Sequence, residues 1–323
     1  MARAAARRDE DGSLAVRAAW LHYAGGLTQA EVATRLGVSA VKAHRLVALA
    51  NQAGVVKITI DGEVAECLRL EERLVAGFGL DAARVVPDLG EAGLPLRALG
   101  IAGSDFLLRE IEALQGRVIG VAYGRTLAAA VEAMPRTDAG TVRFVSLMGG
   151  LTRNYAANPQ EVMHRLADRT GGEAYVMPVP FLANTVADRE MFLAQRGVRD
   201  VAALAATADL VLAGIGTVDP TALLVTARMI DREEIREVQR KGGVGEILGH
   251  FFDEGGRPVE TSLSARTLSP DLGSLEGRRI VALAGGPEKV AAIRAVLRSG
   301  LLRGLITDER TAALLEARGL AAA

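Results

Sequence analysis

The stretch RVIGVAYGRTLAAAVEA, residues 117–133, decides the fold class. Arg117–Ala122 is a short, nearly continuous apolar run, the pattern of a strand buried on both faces, and Gly120–Leu127 carries the chain from that strand into a helix. The pattern recurs over most of the chain. Strands are expected at Arg84–Pro87, Arg117–Ala122, Val142–Met148, Ala174–Pro178, Leu210–Ile215, Arg279–Ala284 and Leu302–Ile306. Amphipathic helices are expected at Leu96–Leu114, Pro159–Thr170, Asp200–Thr207, Pro287–Leu297 and Arg310–Arg318. Such alternation predicts an α/β fold whose parallel or mixed sheet is covered on both faces.

In open α/β sheets, ligands settle beyond the carboxyl ends of the strands, where loops enter helices. Three loops of that kind stand out. In the first, Gly124 permits close backbone approach, and the N–H groups around Arg125 and Thr126 suit an anion or a hydroxyl. The second is Met148-Gly149-Gly150. The third, Ala284–Lys289, has Pro287 suited to a first helical turn and Lys289 placed to supply positive charge. Taken singly, each is equally a tight strand-to-helix turn; together they favour a binding site. Gly214-Ile215-Gly216 lacks the third glycine and the acidic residue of a dinucleotide fingerprint, so no such cofactor is expected. Gly242–Phe252 reads as a flexible turn followed by an apolar stretch, in which Glu246 either accepts from sugar hydroxyls or caps a helix start. His22, His164 and His250 lack metal-ligand spacing with nearby acids and read as structural, with no metal site.

The first 60 residues read differently. Leu14–Tyr23 is helical and stops at Gly25-Gly26. Thr28-Gln29-Ala30-Glu31 is a capping box opening a second, two-turn helix that ends at Gly37. Ser39 caps a third helix after the tight Gly37-Val38 turn, and two short helices joined this closely are the helix-turn-helix signature. On the third helix Ala43, Leu46, Val47 and Ala50 share an inward face, whereas Val41 and Arg45 lie opposite with Lys42 and His44 at the flanks. That outer face suits a major groove: Arg45 to a guanine edge or phosphate, Lys42 to phosphate, Val41 to a thymine methyl, His44 to a base or to solvent. Val55–Ile60 alternates as a strand, in the place of a wing. The competing reading is a three-helix subdomain whose Lys and Arg are merely solvated.

Charge supports the first reading weakly. Residues 1–60 hold eight Lys/Arg against four acids, a net of +4, which leaves −5 for the remainder. At 323 residues, two domains are the natural expectation. Half the residues are apolar, as in a globular protein, and aromatics at 4% are too few for a surface that stacks single-stranded nucleic acid. Cys67, the only cysteine, excludes an intrachain disulfide and a cysteine-based zinc site and fits a reducing cytoplasm. No signal-peptide core and no apolar run of ~18 residues is evident, so a cytoplasmic location without membrane contact is expected.

Beyond these single motifs, the segments LTQAEVATRLGVSAVKAHRL, GVAYGRTL, VSLMGG, GGEAYVMPVPF, ADLVLAGIG, GGVGEILGHFFD, VALAGGPEK and LITDERTA run through nearly the whole chain. Their order resembles the SorC/DeoR-type sugar-binding transcriptional regulators. The resemblance implies a (winged) helix-turn-helix at 1–60, a helical connector at 61–80, and a Rossmann-like effector domain at 81–323 related to sugar-phosphate isomerases and deaminases. It implies operator DNA and a carbohydrate effector (a sugar alcohol, sugar or sugar phosphate) as partners, and assembly into a homodimer or homotetramer. The DNA contacts expected are Thr28, Gln29, Ser39, Val41, Lys42, His44 and Arg45; the effector contacts are Gly124, Arg125, Thr126, Gly149, Gly150, Glu246 and Lys289. Where some members carry Lys or Arg before the paired glycines, this chain has Met148, which leaves a covalent sugar adduct there unsupported. The segment LTRNYAANPQEV is most similar to a branch that answers to sugar alcohols. An enzyme with the isomerase or deaminase fold is the alternative; no acid/base pair in the sequence argues for it, and no catalytic residue or cofactor is assigned.

Overall fold

The computed structural model describes residues 12–56, 65–150 and 162–319, and the chain divides into two units, Met1–Gly62 and Glu63–Ala323. In the first, α1 (residues 12–19) runs into a π turn, Trp20–Ala24, followed by α2 (Gln29–Leu36) and α3 (Ala40–Gln52). The Thr28 hydroxyl accepts from the Glu31 N–H at 3.3 Å while the Glu31 carboxylate accepts from the Thr28 N–H at 2.8 Å, so two donors of the helix start are satisfied reciprocally. Gly37 ends α2 in the left-handed region, and the Ser39 hydroxyl accepts from the Lys42 N–H at 3.2 Å to open α3. Ala43, Leu46, Val47 and Ala50 are all buried, packed with Ala15, Ala18, Ala19, Val32 and Ala33. His22 lies with its Nδ1 2.7 Å from the Leu27 carbonyl. Val55 and Val56 are not in a strand, and the rest of the expected wing, 57–60, lies outside the described residues.

The second unit runs α4 (Ala65–Phe78), β1 (Ala82–Val86), α5 (Leu96–Ala113), β2 (Val118–Val121), α6 (Arg125–Ala133), β3 (Arg143–Ser146), α7 (Met163–Thr170) and β4 (Glu173–Tyr175). There follow α8 (Val186–Ala194), α9 (Arg196–Ala205), β5 (Leu210–Ala213), β6 (Gly216–Thr217), α10 (Leu223–Thr226), α11 (Arg232–Arg240), β7 (Gly243–Ile247) and β8 (His250–Asp253). The chain closes with α12 (Leu272–Leu275), β9 (Ile280–Leu283), a 3₁₀ turn at Pro287–Lys289, α13 (Val290–Arg298), β10 (Gly304–Asp308) and α14 (Glu309–Gly319).

Seven strands form one wholly parallel sheet in the order β1-β10-β9-β5-β2-β3-β4, and β2, β5, β9 and β10 are buried along their length. From β2 the chain moves outward through β3 to β4; from β5 it moves the other way through β9 to β10. The order therefore reverses between β2 and β5. Right-handed crossovers then place α5, α6 and α7 on one face and α9 and α13 on the other. A two-pronged ion pair, Arg279 to Glu110 at 2.6 Å on each arm, ties the start of β9 to α5. Residues 65–78 pack into this unit: Cys67, Leu70 and Leu74 are buried in its core, and Arg69 pairs with Glu316 of α14 at 2.8 Å.

Three local expectations change. Gly242–Phe252 is neither a flexible turn nor a helix start but a hairpin: β7 and β8 pair antiparallel, with β6 on the other side of β7. Its two-residue turn, Leu248-Gly249, has both residues at positive φ, 52° and 80°, the geometry that matches strand twist. Leucine gives no sequence signal for that conformation. Helices α8 and α11, each opened by a capping box (Thr185 with Asp188, Asp231 with Glu234), lie in stretches where no helix was expected. The helix expected from Pro159 is described from Met163; 159–161 lie outside the described residues.

Candidate functional site

The strand order reverses between β2 and β5, and the carboxyl ends of the strands at such a reversal flank the crevice where open α/β sheets receive ligands. From β2 the chain passes Tyr123 into α6 through Gly124, whose φ of 148° and ψ of 163° belong to a region essentially reserved for glycine. The Thr126 hydroxyl donates to the Leu283 carbonyl at 2.8 Å and so pins the first turn of α6 to β9. The N–H groups of that first turn have no acceptor within the helix. A Cβ built on Gly124 would meet nothing within 4 Å, so the space immediately over this residue is open.

Two other elements close on the same place. Lys289, from the loop after β9, is 9% exposed and donates from Nζ to the Ile215 carbonyl, beyond β5, at 2.7 Å. The glycine turn ahead of it is held by the Gly286 N–H, which donates to Thr311 Oγ1 at 2.8 Å and to Asp308 Oδ1 at 3.3 Å. Glu246, on β7, is 8% exposed; its Oε1 accepts from the Gly249 N–H at 2.6 Å, across the hairpin turn. Its other oxygen lies where a Cβ on Gly216 would sit, so a side chain there would have to displace the Glu246 carboxylate.

The electrostatics follow from burial. Desolvation pushes Glu246 up to about 7, against the Gly249 N–H and the charge of Lys289, which both favour ionisation. Desolvation likewise lowers Lys289 to about 8, helped by Arg125 and opposed by Glu246, Glu288 and Asp219. The Tyr123 phenol is raised well above its ordinary value by burial and, secondarily, by Glu246. Burial alone would raise Asp219, but the hydroxyls of Thr217 and Thr221 hold it low. With Glu288, Thr217 and Asp253 it lines an open depression. Among the described residues the Tyr123 hydroxyl, fully buried, has no hydrogen-bond partner. Its ring stands edge-on to Phe181, centroids 6.0 Å apart.

The structure thus gathers Gly124, Arg125, Thr126, Glu246 and Lys289 about one crevice. Gly149 and Gly150 are built in differently. Their N–H groups donate to the Leu268 carbonyl at 2.9 Å and the Met177 carbonyl at 3.4 Å, and Gly149 packs against the Pro180 carbonyl with no room for a Cβ. Sequence reasoning overlooked Tyr123, Ile215 and Asp219. For Tyr123 a signal existed: a polar-tipped aromatic at the end of a buried strand, in a chain with four tyrosines. His250 is half-buried with Nε2 2.7 Å from the Pro270 carbonyl. Among the described residues no group of three or more His, Cys, Asp and Glu is placed to hold a metal, and no helix is long and apolar enough to cross a membrane.

In the first unit, the outer face of α3 presents Val41, 80% exposed, with His44 and Arg45 also exposed and Lys42 half-buried. Gln29 is half-buried at the start of α2, and Thr28 and Ser39 spend their hydroxyls on the caps.

Comparison with known proteins places both halves in one context. The family model Sugar-bind, a sugar-binding domain, matches residues 62–316. The chain is 59% identical to the erythritol catabolism regulatory protein EryD of Brucella abortus over 307 residues, 95% of this chain and 97% of that one. It is 32% identical to the transcriptional regulator LsrR of Klebsiella pneumoniae over 93% of this chain and 91% of LsrR. Among solved structures, the full-length sorbitol operon regulator SorC of Klebsiella pneumoniae superposes with a TM-score of 0.69 at 28% identity, covering 95% of this chain and 99% of SorC. A shared sugar-binding unit, together with similarity that extends through the three-helix unit to regulators of full length, establishes that the chain belongs to the Sugar-bind family, among the SorC/DeoR-type sugar-binding transcriptional regulators.

Proposed function

We propose that this protein is a DNA-binding transcription regulator whose operator affinity is set by a carbohydrate effector. The observation that carries the reading is the 59% identity to EryD along nearly the full length of both chains, which takes in the three-helix unit as well as the crevice. The first unit acts as a helix-turn-helix. Its α3 enters the major groove with Val41, His44 and Arg45 toward base edges, while Lys42 and the helix starts at Thr28-Gln29 and Ser39 lie along the phosphates. The second unit, a Rossmann-like domain of the kind found in sugar-phosphate isomerases and deaminases, holds the sugar alcohol, sugar or sugar phosphate between Gly124–Thr126, Glu246 and Lys289, with Gly149-Gly150 shaping the floor. The protein works in the cytoplasm as a homodimer or homotetramer, because paired heads on matched half-sites give the effector a geometry to change. Relatives named as regulators favour this over catalysis by the same fold.

Two measurements test it. Arg45→Ala is expected to weaken operator binding by about 1–3 kcal/mol, whereas Lys42→Ala mainly reduces the dependence on salt. Equal operator affinity of Arg45→Ala and wild type at matched salt would refute the reading face. Effector titrated calorimetrically with and without operator DNA must show two affinities whose ratio equals the ratio by which effector changes operator affinity. Identical effector affinities in both titrations, for a carbohydrate that occupies the crevice, would sink regulation through this site.

A further inference from the structure

The crevice contains one buried polar atom that the fold itself does not use. The Tyr123 side chain is nine-tenths buried, yet its hydroxyl finds no partner among the described residues. Leaving such a group unsatisfied is destabilising, and phenylalanine would fill the same space against Phe181 without that penalty. A phenol retained there has a use when something else enters the crevice. Glu246 stands close enough for its charge to be felt at the phenol, Lys289 is close enough to Glu246 for their charges to interact, and the space over Gly124 is open.

The inventory of charge says what that ligand is. Among the described residues, the positive charge of Arg125 and the negative charges of Glu246, Glu288 and Asp219 act on Lys289. Lys289 already gives one of its three protons to the Ile215 carbonyl, and its charge is opposed by a carboxylate buried beside it. A phosphate dianion here would face Glu246 in a desolvated setting, where like charges are costly. A chain of hydroxyl groups meets no such penalty: each hydroxyl donates once and accepts twice, so it can donate to Glu246, accept from Lys289 and pair with the phenol.

We infer that Tyr123 is a specificity-determining residue that hydrogen-bonds a hydroxyl group of an uncharged polyol, bound between Glu246 and Lys289 in preference to a phosphorylated sugar. The inference rests on the carbohydrate-effector reading and narrows its ligand class. It leads to an unusual combination in one variant: Tyr123→Phe melts no earlier than wild type without ligand, because the orphaned hydroxyl is gone, yet binds the polyol less well.

The test uses the full-length protein, with erythritol and ribitol as uncharged probes and ribose 5-phosphate as the charged one, read by calorimetry and thermal shift. Wild type is expected to bind a polyol and to ignore the phosphate, with Tyr123→Phe about tenfold weaker for the polyol. Among mono-deoxy analogues of the bound polyol, one is expected to lose affinity for wild type while losing none for Tyr123→Phe, the coupling that a direct contact gives and a purely structural role does not. Binding of ribose 5-phosphate but neither polyol would overturn the ligand class and leave the effector reading standing. Equal polyol affinity in wild type and Tyr123→Phe would overturn the assignment of Tyr123. If Tyr123→Phe does not fold, the phenol is structural and the inference fails. Failure of both polyols to bind would overturn the inference, while the carbohydrate-effector reading stands or falls on the paired titrations with and without operator.

Discussion

Leu46→Ala is expected to abolish operator binding while leaving effector binding at the wild-type level. Of the nine buried apolar residues that form the core of the first unit among its described residues, six are alanines, so Leu46, with Val32 and Val47, supplies most of the apolar area on which its three helices close. Leu46 is 1% exposed. Truncating a fully buried leucine costs about 2–5 kcal/mol, and a unit of this size has little more than that to lose. The second unit has its own core, centred on the seven-stranded sheet, and shares none of these residues. Thermal unfolding followed by circular dichroism should gain an early, low-amplitude transition. Operator binding by gel shift and effector binding by calorimetry then report separately on the two units. Wild-type operator affinity in Leu46→Ala would show that α3 is not held by this core, and loss of effector binding in a folded variant would show that the units are not independent.

The second large effect is a dependence on pH that centres on Glu246. Its carboxyl titrates at 4.5 in the unfolded chain and at about 7 when folded, because burial outweighs the Gly249 N–H and Lys289. The folded state therefore holds a proton that the unfolded state has released between these values. The stabilising contribution is complete below about 4.5 and is lost as pH rises through about 7, amounting to about 3 kcal/mol across that window. Lys289 acts oppositely: with its folded value lowered to about 8 from 10.5, its contribution is present above 10.5 and lost as pH falls through about 8. Between about 7 and 8 both groups are charged and buried together, and their joint contribution is at its lowest. Glu246→Gln keeps an acceptor for the Gly249 N–H but removes the titration. Relative to wild type, it should gain stability from about pH 5 to about pH 7 and level off above that in denaturant unfolding. Parallel profiles over that range would mean that Glu246 is hydrated when folded and titrates like an ordinary carboxyl.

Much of this architecture is legible before any coordinates. The seven apolar runs become the seven strands of the sheet; for β2, β5, β9 and β10 the reason is that a parallel strand buried on both faces has no polar positions to spare and announces itself by composition, whereas the edge strands β1 and β4 are only partly buried. The caps at Thr28 and Ser39 and the inward face Ala43-Leu46-Val47-Ala50 are equally local, since a capping oxygen and its N–H are three residues apart and a helical face repeats every three or four. The hairpin at 243–253 was not legible, because Leu248 adopts a left-handed conformation that leucine does not advertise and Gly249 alone marks a turn in many contexts. Helix α11, almost wholly charged on its exposed side with Ile235 and Val238 buried, hides its short apolar face in the same way.

The crevice divides along the same line. By sequence alone, the glycine loops after the strands fixed where chain ends could gather, since their conformational needs are local. Tertiary structure decided which of them face each other. Thr126 reaches Leu283, 157 residues away, and Lys289 reaches Ile215, 74 residues away. The environment that takes Glu246 to about 7, Lys289 to about 8 and leaves the Tyr123 hydroxyl without a partner exists only where β2, β5, β7 and the loop after β9 meet. Desolvation and through-space charge depend on what surrounds a group in three dimensions, and residue order specifies that environment only after the sheet has brought distant segments together.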